Sequence, residues 1–167
     1  MYSAYMNRIG KFLPGEPINN DDMEEYLRKM TSRPSRVSQR ILNSNGIQKG
    51  YYAIDKQQPT RYSNSKMAAF AVRAAISQSN LEPGAIELLA CTTTLPDLLG
   101  SGFVSIVQGE LSELSPLEIV STQEVGYAGV SALNYAPSQL EPCQKQTAIA
   151  VPAEFSSRLF TNTQFEA

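Results

Sequence analysis

The sequence predicts an α/β protein, with a mainly parallel sheet and helices on both of its faces. The prediction rests on three short apolar runs separated by two helical segments. The predicted strands lie at 86–92, 117–121 and 146–152, and the helices between them at about 102–113 and 126–136. Two consecutive strand–helix–strand units favour parallel strands joined by right-handed crossovers. In such sheets chemistry occurs where a strand ends and a helix begins, so the junction at 121–129 is the first place to seek a site.

Three further helices are predicted before the first strand. They are expected at 21–30, 35–44 and 65–79. Asn20 is the expected N-cap of the first helix, whose early acidic residues suit the positive end of the helix dipole. The second helix is expected to stop at Asn45-Gly46, and the alanine-rich third helix to end before Pro83-Gly84.

Composition indicates an ordinary globular protein, with 42% hydrophobic residues and 18% charged residues. A length of 167 residues predicts one domain over 1–167 with a core of its own. A formal net charge of -2 gives no reason to expect nucleic acid or an anionic membrane as a partner. The chain has no signal-peptide pattern and no apolar run near the ~20 residues that span a bilayer. We therefore expect a cytoplasmic protein.

The side chains present exclude several kinds of catalytic site. The 167 residues include no histidine, so they cannot form a Ser-His-Asp or Cys-His site by themselves. The two cysteines, Cys91 and Cys143, have no metal or redox spacing, and we expect neither a metal nor a cofactor. Cys91 falls in a predicted strand and is interpreted as a buried apolar residue, whereas Cys143 is expected near solvent in a loop.

A series of segments gives the sequence a family resemblance. The segments lie at 12–21, 41–47, 51–53, 92–97, 107–111 and 148–158. In this order they resemble β-ketoacyl-acyl-carrier-protein synthase III, and most of all its relatives in dialkylresorcinol and other secondary-lipid pathways. The resemblance runs from about residue 5 to 160. It implies the amino-terminal half of a thiolase-like fold, in a family of acyltransferases whose active-site histidine and asparagine lie in the carboxy-terminal half.

The resemblance also suggests where a nucleophile should be. In the family, the second crossover helix starts with a cysteine, followed closely by glycine and then by an alanine-leucine pair. Alignment on Gly129 and Ala132-Leu133 puts Gly126 in the place of this cysteine. A helix N-terminus lowers a thiol pKa and directs N–H groups at an oxyanion, but glycine supplies no nucleophile. Glu124 is a candidate for a chemical role, and otherwise an exposed or first-turn carboxylate.

Two other features depart from the family pattern. Gly50 stands where the family usually has arginine, and the chain has no tryptophan to stack on the adenine of coenzyme A. These departures lead to the hypothesis of a non-catalytic subunit that pairs with a catalytic ketosynthase. Acyl carrier protein and coenzyme A thioesters would then be reached through the partner. The apolar loop at 98–103 is either an element that faces this partner or part of the ordinary core.

Two alternatives stay open at this point. The chain is half of a split 3-oxoacyl-acyl-carrier-protein synthase that another chain completes, or it is an inert fragment. In the family the two halves pack helices face to face. A single half is therefore expected to expose an apolar layer and to form a homo- or hetero-oligomer.

Overall fold

A computed structural model describes residues 3–27, 36–57, 59–140 and 145–160. In chain order the elements are β1 (Ile18–Asn19), α1 (Met23–Tyr26), α2 (Arg36–Ser44), β2 (Lys49–Gly50), α3 (Asn64–Ser77), β3 (Leu88–Thr93), α4 (Phe103–Gly109), β4 (Glu118–Gln123), α5 (Ala128–Leu140) and β5 (Ala148–Pro152). The chain divides into two compact units. The first comprises 1–12 and 63–154, and the second 13–62 and 155–167. One domain over 1–167 stays a prediction.

The first unit is built on a three-stranded parallel sheet in the order β4-β3-β5. Strand β3 lies in the middle and pairs in parallel with both neighbours. All six of its residues are buried, which explains why its sequence is an unbroken apolar and threonine run. The predicted parallel sheet is therefore confirmed. Each predicted strand is present within two residues of its expected start and end.

Helices cover both faces of this sheet, as predicted. On one face α3 and α4 form the core with alternate strand residues; its members include Ala68, Ala69, Val72, Leu89, Cys91, Phe103, Val107 and Val151. Leu88 and Ala90 point to the opposite face because side chains alternate along a strand. Helix α5 covers that second face, where a Cβ placed on Gly129 would lie 3.2 Å from the Pro152 Cβ.

The structure corrects the ends of three predicted helices. Helix α4 stops at Gly109 rather than 113, while α5 begins at Ala128 and continues to Leu140. Proline usually ends a helix because it lacks an N–H group, yet Pro137 lies inside α5.

Helix α1 begins at Met23 with Asp22 as its N-cap, so the predicted cap at Asn20 is wrong. The Asn20 side chain instead donates to the Ile47 carbonyl at 2.6 Å. Residues 28–30 of the first predicted helix and residue 35 of the second lie outside the described residues.

The second unit contains a short antiparallel ladder between β1 and β2. Helix α2 ends as predicted at Asn45-Gly46, where Gly46 has a φ of 70° and the Ile47 N–H donates to the Leu42 carbonyl. The Tyr26 and Tyr52 rings stack with their centroids 6.0 Å apart. None of the helices in the described ranges has the length and apolar character needed to cross a membrane.

The amino-terminal segment of the first unit packs along α3 without joining the sheet. The Phe12 and Phe70 rings lie 4.8 Å apart, and the Arg8 side chain donates to the Gln78 carbonyl at 2.8 Å. Between these contacts Gly10 approaches the helix backbone so closely that a Cβ there would lie 2.2 Å from the Ala75 nitrogen. A side chain at position 10 therefore requires the segment or the helix to move.

We predict that Gly10→Ala lowers the free energy of unfolding by about 1–3 kcal/mol, the usual cost of overpacking a closed contact. Urea denaturation measures the change. Gly109→Ala is the matched control, since a Cβ at Gly109 meets no atom within 4 Å. This variant should be neutral or more stable by up to about 1 kcal/mol. Equal effects of the two substitutions would contradict the close packing at Gly10.

Candidate functional site

Polar residues collect where the three parallel strands end. Thr92 is the register partner of Thr122 in β4 and of Pro152 in β5, so the carboxyl ends of the strands lie side by side. The chain then continues into Thr94 after β3 and Glu124 after β4. Ligands and substrates bind at this edge of open parallel sheets, so it is the candidate site.

Thr94 joins the three strand ends. Its backbone N–H and its hydroxyl each lie 2.9 Å from Oε1 of Glu154, the second residue after β5. The Gln123 side chain donates to the Thr94 carbonyl at 3.3 Å. The Thr94 hydroxyl also lies 3.3 Å from the Glu124 carbonyl. These bonds hold the edge of the sheet together around one threonine.

Glu124 is exposed and bonds to the helix that follows it. Its Oε2 accepts a hydrogen bond from the Ser131 hydroxyl at 2.8 Å. A carboxylate beside the first turns of a helix is favourably placed in the field of the helix dipole. Glu124 is therefore an exposed carboxylate that lies before α5 and not in its first turn, and a chemical role for it stays a prediction.

Gly126 lies in the turn between β4 and α5. It has a φ of 74°, in the left-handed region that favours glycine, and a Cβ built there would meet no atom within 4 Å. The helix predicted to start at 126 begins at Ala128 instead, because the Tyr127 carbonyl is the first to accept helical N–H groups, those of Val130 and Ser131. Gly126 therefore precedes the helix N-terminus by one residue, and Tyr127 occupies that terminus. Neither residue has a thiol.

A buried clamp that the sequence analysis missed fixes the other side of this edge. Both carboxylate oxygens of Asp97 accept backbone N–H groups at the start of α3, from Asn64 at 3.0 Å and from Ser65 at 2.7 Å. The fully buried Asn64 side chain donates to the Thr93 hydroxyl at 2.9 Å. It also lies 3.4 Å from the carbonyls of Leu95 and Ala153. Helix α3 is thus tied to the ends of β3 and β5.

The sequence offers one partial signal for this clamp. Ser63 precedes the helix and its hydroxyl accepts the Lys66 N–H, as a capping serine does. The distant cap from Asp97 and the contacts of Asn64 cross 29 to 89 residues of chain, so no local pattern could have found them.

Cys91 lies in the middle of β3 and is fully buried. Burial raises the pKa of its thiol to about 12, because the thiolate would lose its hydration. The interpretation of Cys91 as a buried apolar residue is confirmed. Cys143 lies outside the described residues. Among the described residues no group of three Cys, Asp or Glu side chains is placed to hold a metal ion.

The apolar loop at 98–103 was expected either to face a partner or to belong to the core, and the exposure of its residues distinguishes these two interpretations. Phe103 is buried in the core, so that part of the loop is ordinary packing. Leu98 and Leu99 are 59% and 83% exposed. These two leucines are therefore not core residues, and a role facing a partner stays a prediction.

Comparison with known proteins gives the relationship of the chain. No protein-family model matches it. The β-ketoacyl-[acyl-carrier-protein] synthase III of Thiobacillus denitrificans is 29% identical over 150 residues, which are 90% of this chain and 43% of the relative. The enzyme of the same name from Neisseria meningitidis is 25% identical over 159 residues, covering 95% of this chain and 46% of the relative. The chain is ketosynthase III-like. It spans about half the length of the curated relatives it matches.

Solved structures show the same fold. A tetronic acid condensing enzyme, AbyA1, superposes with a TM-score of 0.76 over 96% of this ketosynthase III-like chain and 47% of its own, at 19% identity. The 3-oxoacyl-[acyl-carrier-protein] synthase III of Aquifex aeolicus gives a TM-score of 0.72 over 90% and 44%, also at 19% identity. The predicted fold, half of a thiolase-like structure, is confirmed.

We predict that Asn64→Ala lowers the free energy of unfolding by about 1–3 kcal/mol, because it removes the hydrogen bonds that join α3 to the strand ends. Chemical denaturation measures the loss. Asn134→Ala is the control, since Asn134 is exposed on α5. Its change should stay within about 0.5 kcal/mol. A similar loss in both variants would argue against the clamp.

We also predict that Cys91 is unreactive in the folded protein. In a Cys143→Ser background, a thiol reagent at pH 8 should label Cys91 only as fast as the protein unfolds, because thiolate is the reactive form. The rate should rise steeply when urea is added. Rapid labelling without denaturant would contradict the burial and the raised pKa.

Proposed function

We propose that this chain is a non-condensing subunit that associates with a catalytic β-ketoacyl-acyl-carrier-protein synthase III, in fatty acid or polyketide-type biosynthesis. The observation that carries the proposal is the turn between β4 and α5. A strand, a left-handed turn and a helix N-terminus are all present there, but Gly126 and Tyr127 occupy the turn. Sequence similarity supports the proposed relationship to the ketosynthase family. The residues of this turn support the proposed loss of condensing activity.

The chemistry of acyl transfer explains why the turn matters. A thioester exchanges its acyl group with a thiolate, which requires an accessible cysteine of lowered pKa. Cys91 is the one cysteine among the described residues. It is buried in the central strand, and burial raises the pKa of its thiol to about 12. The 167 residues also contain no histidine to act as a base. The described residues therefore supply a frame without an acyl acceptor.

Helix α5 supports association with a partner. Residues 125–140 include no Asp, Glu, Lys or Arg. Val130 and Leu133, one turn apart on the outward side of α5, are 44% and 46% exposed. Helices that face water normally carry charged residues on that side, whereas an uncharged helix with outward apolar side chains is typical of a buried one. We infer that a polypeptide of the ketosynthase partner covers this side of α5.

This partner would supply the remaining functions. Acyl carrier protein and coenzyme A thioesters would bind to the catalytic subunit and reach this chain only through it. Leu98 and Leu99, which project from the loop after β3, are a second candidate contact with the partner. We also propose a cytoplasmic location, since the two cysteines suggest no disulfide framework.

A split synthase is the second candidate function. The observation in its favour is that the chain covers 43% and 46% of two curated relatives, which leaves a region of similar size unmatched. The length of the associated chain separates the two candidates. A full-length ketosynthase supports the non-condensing subunit, and a chain equivalent to the unmatched region supports the split enzyme.

We predict that the chain purified from its source cells is not monomeric in native mass spectrometry, and that it carries a ketosynthase III-like partner. The combined substitutions Val130→Glu and Leu133→Glu should weaken this association at least tenfold, because they place charges in an apolar contact. Leu81→Glu is the control, since Leu81 is similarly exposed in a different part of the first unit. Monomeric mass at every concentration would contradict the proposal.

We further predict that the Cys143→Ser chain forms no acyl adduct with a thioester probe, as judged by intact mass. In a Cys143→Ser background, Gly126→Cys or Tyr127→Cys should gain an adduct, because a thiol at a helix N-terminus has a lowered pKa. The two variants test both residues nearest that terminus. Ser138→Cys, an exposed site late in α5, sets the background rate.

An adduct on the Cys143→Ser chain without a new cysteine would contradict the non-condensing role. If neither new cysteine reacts faster than the one at Ser138, the turn has not kept a geometry suited to an acyl acceptor.

A further inference from the structure

Two buried hydroxyl groups under α5 have no hydrogen-bond partner in the part of the chain that the structure describes. The Oγ1 atoms of Thr92 and Thr122 are inaccessible to solvent and make no hydrogen bond within the described residues. Thr92 as a residue is only 1% exposed. The two threonines are register partners in β3 and β4, so their side chains stand next to each other on one face of the sheet. This is the face that α5 covers, opposite the one that holds Leu89 and Cys91.

The backbone groups of β3 already have hydrogen-bond partners other than these hydroxyls. Strand β3 is paired along both edges, so its N–H and C=O groups serve the ladders to β4 and β5. Buried side-chain hydroxyls are nearly always paired, either with protein groups or with ordered water. Each hydroxyl can donate one hydrogen bond and accept others, so one small molecule can serve both threonines.

The spacing fits a water molecule. Neighbouring strands lie about 5 Å apart, so register partners on one face of a parallel pair have their Cβ atoms separated by about that distance. A water oxygen that lies about 2.8 Å from each hydroxyl spans such a gap. The start of α5 lies above this region, because Gly129 packs against Pro152, the register partner of Thr92 on the other side. The first N–H groups of a helix have no partner within the helix, so they add further polar atoms on that side.

We propose that Thr92 and Thr122 bind one internal water molecule between the sheet and the first turn of α5. The water links the ends of β3 and β4 beneath the turn that carries Gly126. Buried waters of this kind make about three hydrogen bonds and are part of the folded structure. The inference does not depend on the proposed function, since it concerns only the packing of α5 on the sheet.

High-resolution crystal structures of the full chain and of its Thr92→Val/Thr122→Val variant test the proposal. The unaltered protein should show one water within hydrogen-bond distance of both hydroxyls, and the double variant should lack it. Thr93→Val is the matched control, because the Thr93 hydroxyl on the opposite face already bonds to Asn64. This variant should keep the water. No water at the site in the unaltered protein would overturn the proposal.

A double-mutant cycle provides the second measurement. If both threonines hold one water, the single valine substitutions should be coupled by at least about threefold in the unfolding equilibrium constant. Strictly additive effects, or an increase in stability with each single valine, would overturn the proposal, because both indicate hydroxyls that share no water. Coupling without a water in the crystal structure would show a direct bond between the threonines and would also overturn it.

Discussion

Strand β3 is enclosed on four sides, by β4 and β5 along its edges and by helices on its two faces. This enclosure determines most of the first unit. With both edges paired, the strand leaves no backbone group in need of a partner, and its side chains can be apolar on both faces. The helices approach closely because their contact residues are small: Ala68 and Ala69 on one face, Ala128 and Ala132 on the other. The parallel arrangement then brings three strand ends to one edge.

That edge is maintained by residues with structural roles. Asn64 and Asp97 tie α3 to it from one side, and Thr94 with Glu154 joins the strand ends. None of these bonds involves the turn at Gly126. This edge can therefore persist when side chains in the turn change, which illustrates that a fold does not by itself imply an activity. Function has to be argued from the side chains at the turn, where Gly126 and Tyr127 carry no thiol.

The sequence predicted the sheet well because local patterns carry it. Three apolar runs spaced by helical segments are sufficient to predict parallel strands, and the buried Cys91 follows from its position in the first of them. Helix ends were harder to predict, because they depend on contacts outside the helix. Asn20 reads as a cap but bonds to the Ile47 carbonyl, 27 residues further along the chain. The Asn64 clamp could not be predicted, since its partners are brought together only by the completed sheet.

The absence of charged residues from 125–140 has a kinetic consequence for the association that we propose. Electrostatic attraction raises the rate at which two proteins meet and makes that rate fall with added salt. The contact that we propose through Val130 and Leu133 would lack this attraction. Its association rate would be near the 10⁵–10⁶ M⁻¹s⁻¹ typical of unsteered encounters, nearly independent of ionic strength. Discrimination between partners would then depend on the shape of the opposing surface. The lifetime of the complex would depend on how completely water is excluded from the contact.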